Sequence, residues 1–154
     1  MFEPNSDIQT NPLNLNLELM KFSNPREALG AICFLAAMDN RYINAQFNRI
    51  VNRFYTSVAH GKLIAFSNPL TVQGKTIDHP FILATWVSVN DITAAILDNK
   101  IRDCYSGEAN AGDNHFVTSI VSPFIKLTPE SEYYQLVVGK IKEITGSDKL
   151  FFLD

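Results

Sequence analysis

Histidine is the side chain whose ordinary pKa suits proton transfer near neutral pH, and the 154-residue sequence holds three: His60, His79 and His115. His60 falls where a helical pattern gives way to a strand pattern, and His79 lies in a turn-rich run before Pro80. Both settings suit solvated histidines better than catalytic ones. His115 opens the apolar run His115 to Val121, where a structural role outweighs a catalytic one. No metal-ligand spacing, phosphate-binding glycine loop or nucleophile elbow occurs. Gly61 and Gly74 each stand alone as turn residues, and Trp86 reads as core. Cys33 and Cys104 lack a CxxC or Cys/His pattern, so two buried free thiols are expected rather than a disulfide.

Charge gives the other chemical signal. From Asn40 to Ile77 there is no Asp or Glu, while Arg41, Arg49, Arg53, Lys62 and Lys75 give +5 in a chain whose net charge is −3. The stretch Asn40 to Ser57 has Ile43, Phe47, Ile50, Val51 and Phe54 at helical spacing, continuing to Val58, with Asn44, Asn48, Arg49, Asn52 and Arg53 opposite. An amphipathic helix with a basic face is expected, with Arg41, Arg49 and Arg53 on it and Lys62 nearby. Such a face is ordinarily just solvated. Its lack of acids makes it a candidate for docking an acidic partner.

The elements that must position these residues follow from composition and period. At 46% hydrophobic and 19% charged residues, the sequence is that of one globular domain. Residues 1–21 read as a mobile leader, with Leu13 to Leu19 able to pack loosely on the body, and 22–154 as the domain. No apolar run reaches membrane-spanning length, and the leader lacks the Lys/Arg start of a secretion signal, so a cytoplasmic protein is expected. Asn24-Pro25-Arg26-Glu27 starts a helix to about Ala37, apolar nearly all round. After the basic helix come strands Lys62 to Ser67 and Phe81 to Val89, joined by a loop over Asn68 to Pro80. A short helix over Asp91 to Asn99, a loop to Asn114, and a strand over His115 to Val121 follow. A helix capped at Thr128-Pro129 runs to about Ile144, its inner face Tyr133, Val137, Ile141 and Ile144, and Lys149 to Leu153 closes as an edge strand. That order indicates an α+β fold, helices packed on a mainly antiparallel sheet.

Several of these segments also carry a resemblance. Pro80-Phe81-Ile82-Leu83-Ala84-Thr85-Trp86-Val87-Ser88-Val89-Asn90 resembles a strand of the RTX-toxin-activating lysine acyltransferases (hemolysin-C type), in which a Pro-started strand carries Ser-Trp-Ala. Tyr105-Ser106-Gly107 and the run from Gly112 to Phe124 resemble that family's Trp-x-Ser-Gly-Asp loop and the strand ending in Ala-Pro-Phe. The segment Leu29 to Ala37, the break after it, and Tyr42 to Phe54 fall in the family's order, so about 100 residues are covered.

The resemblance implies a fold similar to the Gcn5-related N-acetyltransferases and a homodimer. It also implies transfer of a fatty acyl chain from acyl carrier protein to a lysine of an RTX-type protoxin, with no tightly bound cofactor. A lysine amine, with a reference pKa near 10.4, must lose a proton before it attacks a thioester. The family's His position falls on Asp39, or on Asn40 if the break is one residue shorter, and its Asp position on Ser119. Asp39 is therefore the substitute base, with Ser119 and His115 as polar groups near the site, and Arg41, Arg49, Arg53 and Lys62 as the surface for the acyl carrier. An ordinary aspartate has a pKa near 3.9 and is a poor base at neutral pH. A second expectation is thus a non-catalytic acyltransferase-like module that binds a protein partner. Nucleic acid is not expected, since the basic face has no interleaved aromatics and the pI is about 5.6.

Overall fold

The computed structural model of the protein describes residues 17–153, so most of the expected leader lies outside the described residues. The end of that leader joins the sheet: Glu18–Leu19 form a strand, β1, paired with β2 (Leu63–Val72). Met20 N–H donates to Ala65 O at 2.8 Å and Leu17 packs on the core, so this segment is part of the sheet. Strands β3 (Lys75–Val89), β4 (Asn114–Val121) and β5 (Phe151–Phe152) complete it in the order β1-β2-β3-β4-β5. All pairs are antiparallel except β4 with β5, which run parallel. Four α-helices occur among the described residues: α1 (Pro25–Ala36), α2 (Phe47–Ala59), α3 (Asp91–Asp98) and α4 (Glu132–Thr145). The fold is α+β. No helix among the described residues is long and apolar enough to cross a membrane.

Each sheet face buries its own core. On one face α1 and α2 bring Ile32, Leu35 and Phe54 against Ala65, Leu83 and Val121. On the other, Val137 and Ile141 of α4 cover Ile64, Ile82, Trp86 and Val117. Fully burying Phe54 or Leu35 contributes about 1.5–3 kcal/mol each. The first helix starts as its sequence dictates. Asn24 Oδ1 accepts the Glu27 N–H, while the Glu27 carboxylate accepts from Ser23 N–H at 2.8 Å, one residue earlier than a capping box requires. It is buried on one side only, since Phe34 is 40% exposed.

Three expectations are corrected here. The basic helix begins at Phe47, not Asn40. The Asp39 carboxylate accepts the Arg41 N–H at 2.8 Å, and Tyr42 and Ile43 N–H both donate to Asp39 O, which folds the segment into turns. Ile43 and Phe47, placed by period on the buried stripe, are 55% and 68% exposed. Second, the loop over Asn68 to Pro80 is a continuous hairpin, its Gln73-Gly74 turn having φ values of 50° and 75°. Pro69 and Pro80 read as breakers, but they sit where β2 and β3 have outgrown β1 and β4 and have edges without a strand alongside. Third, α4 is capped by Ser131 rather than Thr128, and Ile144 is 51% exposed although Val137 and Ile141 are fully buried.

Candidate functional site

The site forms where β4 outlasts β5. Their ladder pairs Phe116 with Phe151 and Val117 with Phe152 and then stops, leaving the outer edge of β4 open. Two arginines close it. Arg53 Nη2 donates to Thr118 O at 2.8 Å and Arg41 Nη2 donates to Ile120 O at 2.7 Å. Each is also fixed by a carboxylate: Arg53 by Asp103 at 2.9 Å, Arg41 by Asp39 at 3.0 Å. Unpaired strand edges template association, and here the guanidinium groups occupy the edge carbonyls.

Below this edge lies a cavity of about 540 Å³. Val117, Ile120, Ile125, Leu127 and Phe152 supply the apolar part of its lining, Asp39, Arg41, Ser119, Ser122 and Lys126 supply polar groups, and Tyr134 completes it. Asp39 is 8% exposed, and its two oxygens accept three bonds from Arg41: backbone N–H at 2.8 Å, Nε at 3.1 Å and Nη2 at 3.0 Å. Burial by itself would raise the Asp39 pKa, but these hydrogen bonds and the guanidinium charge outweigh it and hold the carboxyl below its ordinary range. Ser119, 1% exposed, lies beside a β-bulge and exchanges a 3.0 Å hydrogen bond with Tyr42 Oη.

The structure brings Asp39 and Ser119 into the lining of one cavity and leaves His115 out of it. His115 Nδ1 shares a 2.7 Å hydrogen bond with Ser88 Oγ, on the residue opposite it in β3. Burial, and then the Lys62 charge, push its pKa down against the opposing pull of Asp113. His60 Nε2 donates to Ser106 O, and the ring of His79 packs between Phe34 and Phe124. Arg41, Arg49 and Arg53 do meet, around a depression of about 430 Å³ with Asn52 and Asp103. They meet although Arg41 precedes the helix, because its turn leans over β4. Lys62 is not part of this group. Its pKa is lowered by burial, and its charge acts on His115 instead. Arg53, expected on an exposed face, is half-buried, with 23% of its side chain accessible.

Sequence reasoning missed Tyr42, Lys126 and the apolar wall. Tyr42 carries no motif, and Ile125 to Leu127 follow Pro123 in a loop without a period. No group of three or more His, Cys, Asp and Glu among the described residues could hold a metal ion. An ion-paired carboxylate below its usual pKa is a weak proton acceptor at neutral pH. A cavity lined by both apolar and polar side chains, within the 300–1,000 Å³ range typical of ligand sites, is suited to hold an amphiphile. No known family's sequence pattern matches the chain, and no curated protein matches it.

Proposed function

We propose that the chain is an acyltransferase-like binding module, which holds the acyl chain of an acidic acyl-carrier partner without transferring it. The observation that carries this reading is the Asp39–Arg41 pair. Asp39, where the resemblance puts the family's base, is clamped by three hydrogen bonds in the lining of the cavity, its pKa lowered rather than raised. The resemblance to toxin-activating lysine acyltransferases supplies the acyl chain, the carrier and a fold similar to the Gcn5-related N-acetyltransferases. The arginines beside the cavity supply a cationic approach for the carrier.

The binding reading is tested by comparing an acylated with an unacylated carrier. The acylated form should bind several-fold tighter, and Ile125→Trp, which fills the cavity, should abolish the difference while leaving the melting temperature within a few degrees. Equal affinity of the two carriers for the wild-type chain removes the acyl site.

The co-location of Asp39 and Ser119 favours a second reading, an active protein-lysine acyltransferase acting on an RTX-type protoxin. Catalysis then requires Asp39 to leave Arg41 when substrate enters. Intact-mass measurement of a co-expressed protoxin distinguishes the readings: an added acyl mass that Asp39→Asn eliminates establishes transfer.

A further inference from the structure

The hairpin of β2 and β3 overhangs its neighbours as a two-stranded arm. Beyond Ser67, β2 has no strand on its outer edge among the described residues, since β1 pairs Glu18 with Ser67 and Leu19 with Phe66 and extends no further. On one face of the arm Leu70 stands opposite Ile77 and Val72 opposite Lys75, and Leu70, Val72 and Ile77 are all exposed. On the other face Pro69 stands opposite Asp78 and Thr71 opposite Thr76. A bare edge beside an apolar stripe is a template for one more strand. The chain itself arrives there. Residues 1–16 lie outside the described residues, and they meet the fold at Leu17, which packs on the core cluster that includes Ile64 and Phe66. The sequence leading into it has the period of a strand: Leu13, Leu15, Leu17 and Leu19 alternate with Asn14, Asn16 and Glu18.

We propose that residues 13–16 continue β1 along the bare edge of β2 and turn the arm into a three-stranded sheet. Carrying the observed register onwards sets Leu17 against Asn68, Leu15 against Leu70 and Leu13 against Val72. The leucines then fall on the apolar face of the arm, while Asn14 and Asn16 fall on the polar face opposite Thr71 and Pro69. Pro12 falls level with the Gln73-Gly74 turn, where the ladder ends. A register one residue off would set the asparagines against Leu70 and Val72, so the pattern selects a single pairing. Hydrogen bonding allows it. Met20 N–H donates to Ala65 O, so the odd-numbered residues of β2 face β1, and Thr71 N–H and C=O point outwards from the arm. Pro69 has no N–H to give, so at that step Asn16 donates to Pro69 O and receives nothing back. The occupant is this chain's own leader, because Leu17 delivers it to the edge in register and no loop has to be closed.

Two measurements on the full chain test this. The first is amide hydrogen exchange. Thr71 N–H points to the edge that the leader would cover, and Thr76 N–H to the opposite edge of the arm, which has no strand alongside among the described residues. Relative to their intrinsic rates, Thr71 should exchange at least about tenfold more slowly than Thr76, and Leu15→Asp should bring the two together. The second is disulfide trapping, read by mass spectrometry of the linked peptides. Leu15→Cys with Leu70→Cys makes a non-hydrogen-bonded facing pair, whose Cα separation suits a disulfide, and it should close within one chain under mild oxidation. Leu15→Cys with Thr71→Cys, whose side chains leave on opposite faces, should not close. Equal exchange of Thr71 and Thr76 overturns the added strand, as does a slow Thr71 that Leu15→Asp leaves slow. A disulfide that joins two chains gives the edge to a second copy's leader and overturns the assignment, and so does equal trapping of the two cysteine pairs.

Discussion

The Arg41 guanidinium satisfies a nearly buried carboxylate and an edge carbonyl together. Truncating it leaves Asp39 without its charged partner, and a buried polar group left unsatisfied costs about 1–3 kcal/mol. Arg41→Ala should lower the urea-unfolding free energy by roughly 2 kcal/mol, whereas Arg49→Ala, at an exposed position, should change it by less than about 0.5 kcal/mol. Equal effects would mean that the Asp39–Arg41 pair contributes nothing to the fold. A second carboxylate offers a pH test. Glu108 accepts two bonds from Arg102 at 2.7 and 2.8 Å, then Tyr105 N–H and Thr93 Oγ1, and its pKa falls from 4.5 to about 2, with Arg102 the main cause. A carboxyl depressed in the folded state stabilises fully above its unfolded pKa and loses that contribution as pH falls through the folded value. The stabilisation should therefore be intact above about pH 4.5 and decline towards pH 2. Urea titrations at pH 5 and pH 3 should show a larger loss for wild type than for Arg102→Ala; parallel losses contradict the assignment.

At the scale of elements, most of the architecture was legible in the sequence because period and capping are local. The N-cap at Asn24 and strand β4 each follow from a few adjacent residues, while the cap of α3, open between Asn90 and Asp91 in the sequence, is Asn90, whose side chain accepts from Thr93 N–H. The misreadings involve context. Asp39 and Arg41 bond each other locally and so defeat a helical period that ran through them. Pro69 and Pro80 are tolerated because the hairpin overhangs its neighbours, a fact of sheet order that no local pattern carries. The apolar wall of the cavity could not be read at all, since β4, β5, α4 and the loop at Ile125 meet only in three dimensions. The loop between α3 and β4 gives an element-level test. A Cβ on Gly112 would come within 2.5 Å of Asn90 N, whereas one on Gly107 would meet nothing within 4 Å. Gly112→Ala should destabilise by about 1–3 kcal/mol and Gly107→Ala far less, as read by thermal melts. Similar melting temperatures for both variants would show that the close approach of this loop to the end of β3 is unimportant.

Over the whole molecule, charge and cavity lie together. The chain is acidic, at −3 overall, yet its arginines gather beside the open edge of β4. The proposed function predicts that an acidic carrier is steered to this side, an effect that fades as added salt shortens the screening length to about 8 Å. Two of the three arginines also hold the edge, so steering and stability share residues, and Arg49 is the position at which they separate. If the proposed acyl site is real, whether a bound acyl chain is transferred depends on whether Asp39 ever accepts a proton. The most direct measurement mixes the chain with a decanoyl acyl-carrier thioester and a lysine-bearing acceptor peptide and follows thiol release from pH 6 to pH 9, with binding monitored in parallel. Saturable binding with thiol release at the rate of the protein-free control, unchanged by Asp39→Asn, is the result predicted. Thiol release above that control, matched by acylated peptide and lost in Asp39→Asn, would contradict it.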